Sequence, residues 1–173
     1  MKIVGKMINI LGFQLSWWFC VLGVKYGYPY LGPFVMTLFI LVHYLFYKIN
    51  NLEFIFIFVC GLIGMLVDTF FINIDLIDYN GLTINNIAPL WIISMWLGFA
   101  ATINHSLSWL RKRYFFAFWL GFIFGPISYL TGVKFNALSF NVSIYSITVL
   151  SVAWGIVVPL LFFINERILI SDE

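Results

Sequence analysis

Apolar positions along the chain fall in long unbroken runs separated by short polar clusters, with no strict alternation anywhere. Taking charges and Pro/Gly/Asn clusters as boundaries leaves six runs: Met7–Val24, Leu31–Tyr47, Phe54–Ile74, Ala88–Trp109, Tyr114–Val133 and Ile144–Ile164. Each is close to the ~20 apolar residues a helix needs to cross a bilayer core, for which about 17–25 is usual. Helices are the form expected in lipid, because each satisfies its own backbone hydrogen bonds. Barrel strands would alternate in polarity over about 10 residues, and no segment does. The pattern predicts an all-α polytopic membrane protein, a single bundle of six transmembrane helices forming one domain over residues 1–173.

The links between the runs are short. Lys25–Tyr30 reads as a Gly/Pro/Tyr turn, and Lys48–Glu53 as a small polar turn holding Asn50 and Asn51. Asp75–Ile87 is the longest polar link, and Arg111, Lys112 and Arg113 separate the fourth and fifth runs. Lys134–Ser143 is apolar enough for part of it to dip into the interface.

Composition narrows the function classes. Of 173 residues 63% are hydrophobic and 9% charged, whereas soluble domains carry about a quarter charged residues. So few polar groups could not cover a soluble surface, which excludes a water-soluble enzyme and a disordered chain. A net charge of +2 leaves no basic stripe, so no nucleic-acid partner is expected. The basic residues give an orientation instead. With the N-terminus inside, Lys2, Lys6, Lys48, Arg111, Lys112, Arg113 and Arg167 are cytoplasmic and only Lys25 and Lys134 are outside. Short cytoplasmic loops hold the excess of Lys and Arg, so both termini are expected in the cytoplasm. The first run begins like a signal peptide, but Gln14, Trp17 and Trp18 interrupt it and Ala is absent, so a retained helix is expected.

Small residues recur at helical spacing on three runs: Gly121, Gly125, Ser128 and Gly132; Gly61, Gly64 and Asp68; Ser94, Gly98, Ala101 and His105. Close packing in lipid relies on such residues, and the three stripes are expected to face one another. Pro126 and Pro159 each remove a backbone donor in mid-helix, so kinks are expected. Cys20 and Cys60 lie at different depths, roughly 20 Å and 9 Å from the inner face, and read as small buried side chains rather than a disulfide or a metal pair.

Asp68 needs an explanation. A carboxylate near a helix centre costs roughly 2.5–3.5 kcal/mol on the insertion scale, which the apolar residues of the same span can offset. Ser128 comes to the same depth, with Tyr129 adjacent, and Lys134 could reach down from the outer interface. The group is either functional or held by a hydrogen bond to Ser128 or Tyr129 or by an ion pair with Lys134. A second set, His43, Asn104, His105 and Gln14, lies roughly 6–10 Å above the inner face, too far in depth to form one dyad with Asp68. His43 reads first as an interfacial residue, and Asn104 and His105 first as inter-helical hydrogen-bonding groups. Asp68, Ser128, Tyr129, Gln14, Asn104 and His105 are the candidates for a ligand site or polar path, with no catalytic or metal-ligating residue and no cofactor assigned.

Several chemistries are set aside. Two histidines are too few for a histidine-box di-iron enzyme. Ser128 and His105 lie at unmatched depths for an intramembrane serine protease. Both histidines lie at one depth near the inner face, which disfavours redox haem ligation. Asp75 and Asp78 could hold Mg²⁺ and a diphosphate, but beside Asn80-Gly81 they read more simply as a solvated turn.

The segments Leu90-Trp91 to Trp96, Thr102-Ile-Asn-His-Ser-Leu-Ser-Trp-Leu110 and Gly125-Pro-Ile-Ser-Tyr-Leu-Thr-Gly132 resemble a family of small bacterial inner-membrane proteins known only as a domain of unknown function. Phe13-Gln-Leu-Ser-Trp17 with Cys20, and Gly64-Met-Leu-Val-Asp68, fit the same family, so the likeness covers nearly the whole chain. It implies a bacterial inner-membrane location and transfers no catalytic residue. Genes of that family often neighbour enzymes that modify membrane fatty acids, which implies a lipid-related process. Three functions remain open. The first is a noncatalytic accessory or scaffold in such a process, with membrane lipids and other membrane proteins as partners. The second is a binding or transport-related bundle, similar in layout to the substrate-binding subunits of energy-coupling-factor vitamin transporters, in which Asp68, Ser128 and Tyr129 bind a ligand. The third is a lipid-modifying enzyme with Asp68 or His105 as acid–base group.

Overall fold

The computed structural model describes residues 2–170, and side chains over 3–168. Six α-helices account for about three quarters of it: α1 (Lys2–Lys25), α2 (Leu31–Tyr47), α3 (Asn51–Asn73), α4 (Leu90–Ile103), α5 (Tyr114–Lys134) and α6 (Ile144–Ile170). A 3₁₀ turn, Ser108–Leu110, follows α4, and two-residue strands β1 (Asp78–Tyr79) and β2 (Leu138–Ser139) lie in the links before α4 and α6. Helices α1, α3, α5 and α6 are long and apolar enough to cross a membrane, while α2 and α4 are shorter apolar helices.

Helix α4 sits centrally, packed against α1, α2 and α3, and the α5–α6 pair joins this group through α3 against α6. The small-residue stripes do not meet as expected. The α3 stripe does reach α4, but a Cβ on Gly64 would fall inside the Trp96 indole and one on Gly61 would strike Leu97. Gly98 of α4 instead admits Met36 of α2, and Gly121 and Gly125 of α5 receive Trp154 of α6. A stripe marks where a neighbour comes close, and here the neighbours are large side chains and backbone of other helices. Cys20 and Cys60 are buried and unpaired. Both α5 and α6 run on through Pro126 and Pro159 as single helices.

The fourth run was expected to be helical to Trp109, but α4 stops at Ile103. Asn104, His105, Ser106 and Ser108 are the cause, because short polar side chains compete with the helix for its backbone groups. The Ser108 hydroxyl donates to the His105 carbonyl at 2.8 Å, and the His105 amide turns back to the Thr102 carbonyl. The fold thereby places His105 and Ser106 on an irregular turn, facing inward.

At the opposite end the two long links pair. Asp78 aligns with Ser139 and Tyr79 with Leu138 in an antiparallel ladder. The Asn80 amide continues it to the Ala137 carbonyl at 3.0 Å, and the Trp91 indole donates to the Asn80 carbonyl at 3.0 Å. Buried Ala137 and Leu138 are the part of the Lys134–Ser143 link that dips inward. Asp75 and Asp78 are exposed in the partner link, Asp75–Ile87.

Candidate functional site

Three features stand out: a carboxyl hub, a histidine–glutamate cluster toward the other end, and a groove that borders the hub but not the cluster. Asp68 is fully buried in α3. Its Oδ1 accepts from the hydroxyls of Tyr79 and of Tyr129, the latter at 2.6 Å, and its Oδ2 accepts from the Trp96 indole at 2.6 Å. The Trp96 ring is stacked on Trp154, with centroids 4.5 Å apart. One carboxyl group thus ties α3 to α4, α5 and the β1 link. Burial pushes the Tyr79 phenol well above its usual range, and the Asp68 carboxylate beside it acts in the same direction, which keeps Tyr79 a donor.

Of the partners expected for Asp68, Tyr129 is present and Ser128 is not. The Ser128 hydroxyl turns to its own helix and donates to the Gly125 carbonyl at 2.6 Å. Lys134 is exposed at the end of α5 and makes no ion pair among the described residues. An equal expected depth did not make Ser128 a partner, because its side chain turns back onto α5 while Tyr129 reaches Asp68. Tyr79 and Trp96 went unrecognised as partners. Nothing in the sequence showed that the link would fold Tyr79 back, whereas Trp96 lies in an apolar span where an indole N–H needs an acceptor.

The second cluster holds His43, which is buried and not interfacial. It faces Glu53 in the first turn of α3, whose backbone amide is capped by the Asn50 side chain at 2.9 Å. Glu53 Oε1 lies 2.8 Å from His105 Nε2 and 3.5 Å from His43 Nε2. Asn9 of α1 links this cluster to the turn after α4: its Oδ1 accepts from the Ser106 hydroxyl at 2.6 Å, and its Nδ2 donates to the Ala101 carbonyl at 3.0 Å. The Ala101 carbonyl is free for this because the helix has ended. Asn104 is not in the cluster. It forms a reciprocal amide pair with Asn165 of α6, at 3.1 and 2.6 Å. Glu166 beside it accepts from the Lys112 amide at 3.0 Å and from the Tyr114 hydroxyl at 2.8 Å, fixing the basic link. Asn9, Glu53 and Asn165 were missed, since isolated polar residues near helix ends read as interfacial.

Between α1 and α5, floored by α4, runs a groove of about 650 Å³. It extends from Thr131, Gly132 and Leu138 at one end to Leu107, Trp109 and Leu110 at the other. Trp17, Trp18, Trp91, Trp96, Trp109 and Trp154 line it, six of the seven tryptophans in the chain. Gln14 and Ser128 are polar positions on its walls, and Asp68 borders it while remaining covered. The candidates Asp68, Ser128, Tyr129 and Gln14 therefore share one groove, while His105 and Asn104 belong to two separate contacts.

The profile of a family described as "Protein of unknown function (DUF2878)" matches residues 6–160. The chain belongs to this family. No curated protein and no solved structure matches it. The matched residues of this DUF2878 chain contain the Asp68 hub, the histidine–glutamate cluster and every residue lining the groove, but exclude Asn165 and Glu166.

Proposed function

We propose that this DUF2878 protein is a six-pass protein of the bacterial inner membrane, with both termini cytoplasmic. In this reading it holds an acyl chain of a membrane lipid in the groove between α1 and α5, as an accessory component of a membrane-lipid process. The groove is the observation that carries the proposal. It lies along the apolar helices, its walls are almost wholly hydrocarbon and aromatic, and its volume is in the range of small-molecule sites, about 300–1,000 Å³.

Within a bilayer an acyl chain gains nothing from leaving water. Preference for the groove arises from close contact with fixed walls, many weak dispersion contacts that mobile lipid tails do not offer. The stacked Trp96 and Trp154 pair, held by Asp68, supplies such a wall. Asp68 and Tyr129 then serve by rigidity and not by touching the ligand. The shorter α4 fits a six-pass arrangement because the irregular turn after it is bonded to Asn9 of α1 and Glu53 of α3, and non-helical backbone is tolerated where protein covers it.

The test is a phospholipid carrying a photoactivatable group in its acyl chain, added to the protein in nanodiscs, with adducts mapped by mass spectrometry. Adducts should concentrate on Trp17, Phe124 and Ile127, and Ser128→Trp, which fills the groove without removing an inter-helix bond, should reduce them several-fold. Equal labelling of the exposed Leu41 and Leu45 on α2 would defeat the proposal. A purely scaffolding protein would show no effect of Ser128→Trp on labelling.

A further inference from the structure

His43, Glu53 and His105 come from α2, α3 and the turn after α4, and their ligand-capable atoms all lie within 4.8 Å of one another. We propose that these three side chains form a binding site for a divalent transition metal of the zinc or iron(II) class, with an open coordination position. Two imidazoles and one carboxylate are the donor set of three-ligand sites that keep a position for water or substrate. Magnesium and calcium favour oxygen ligands throughout and fit this set poorly.

The second observation is His43 itself. Its Nε2 is enclosed, has no hydrogen-bond partner among the described residues, and lies 3.5 Å from Glu53 Oε1. Ligand atoms about 2.0–2.2 Å from a tetrahedral ion stand about 3.3–3.6 Å from one another. The His43–Glu53 separation of 3.5 Å lies in that range. His105, at 2.8 Å from the same oxygen, makes a hydrogen bond that the ion would replace.

Asn9 sets the condition for binding. With its Oδ1 facing Ser106 and its Nδ2 facing Ala101, Nδ2 also points at His43 Nδ1 from 3.3 Å. A neutral His43 then carries its proton on Nε2. Ligation through Nε2 requires that proton to be on Nδ1, donated to an acceptor, as is usual for metal-bound histidine. Turning the Asn9 amide presents Oδ1 to His43 Nδ1, and the Ser106 hydroxyl can then accept from Nδ2. The Ala101 contact and the bond from the Ser106 backbone amide to Oδ1, at 3.3 Å, are lost in exchange. Asn9 is thus a positioning residue for the ion.

The experiment uses the full chain in detergent or nanodiscs, carried on a tag without histidine. Zn²⁺, and Fe²⁺ under anaerobic conditions, are titrated after chelator treatment, with metal content read by mass spectrometry. One ion per chain is expected. His43→Ala, Glu53→Gln and His105→Ala should each weaken binding at least tenfold, Cys60→Ser should leave it unchanged, and Asn9→Asp should tighten it by fixing an acceptor opposite Nδ1. Should the ligand variants fail to fold, X-ray absorption of the wild-type metal complex must show two imidazoles in the coordination sphere. Absence of stoichiometric binding, binding indifferent to the ligand variants, or a spectrum without imidazole overturns the proposal.

Discussion

Removing the Asp68 carboxyl group should loosen four segments at once. In Asp68→Ala the hydroxyls of Tyr79 and Tyr129 and the indole of Trp96 all lose their acceptor in a site closed to water. Inter-helical hydrogen bonds in membrane proteins are worth about 0.6 kcal/mol on average and up to about 1.7, so three together give a loss of about 2–5 kcal/mol. Asp68→Asn is a gentler change. Its carbonyl can keep the Trp96 bond, while its amide can donate to the two tyrosine hydroxyls, which rotate to accept. About 0.5–1.5 kcal/mol, the scale of one net hydrogen bond, is expected for that variant. Reversible unfolding of the protein in bicelles or mixed micelles measures both, and tryptophan fluorescence reports on the Trp96–Trp154 stack. Asp68→Ala within about 0.5 kcal/mol of wild type would refute the hub, since that is the range of substitutions away from any structural feature. Asp68→Asn as damaging as Asp68→Ala would show that charge, and not acceptor geometry, is what the site needs.

Other substitutions test separate contacts. Gly64→Ala places a methyl group inside the Trp96 indole, so α3 and α4 must separate, with a loss of about 1–3 kcal/mol typical of overpacking and visible as a lowered melting temperature. Asn104→Leu should leave the Asn165 amide unpaired and cost about 1–3 kcal/mol, while Asn104→Leu with Asn165→Leu should be milder than the sum of the singles, read in a double-mutant cycle. The Cys20 and Cys60 thiols, both buried, should resist maleimide in the folded protein and react once it is unfolded.

The placement of helices was written in the chain, and the sites mostly were not. Apolar runs of near-span length between polar clusters set six helices, because lipid leaves the backbone no other way to bond itself. Five of the expected runs match helices to within a few residues at most ends. Even the exception was legible in part: the polar stretch Asn104 to Ser108 held the reason for the early end of α4. Asp68 and Tyr129 could be singled out because an acid in a span is costly, and depth along a helix follows from a fixed rise per residue.

Tertiary structure alone decided the partners. Depth places two residues on one level, but rotation about each helix decides whether they meet, so Ser128 faced its own backbone while Tyr129 reached Asp68. Tyr79 joined them only because two links paired into a ladder, a contact between segments some sixty residues apart. His43, Glu53 and His105 carry no ligand spacing that could be read along the chain, since each comes from a different element. The groove likewise has no linear signature: its tryptophans are scattered over α1, α4, α6 and the 3₁₀ turn, and only the separation of α1 from α5 gathers them around one space. Periodicity fixes what each helix can bury; which neighbour it buries against depends on the fit of side chains that no local pattern records.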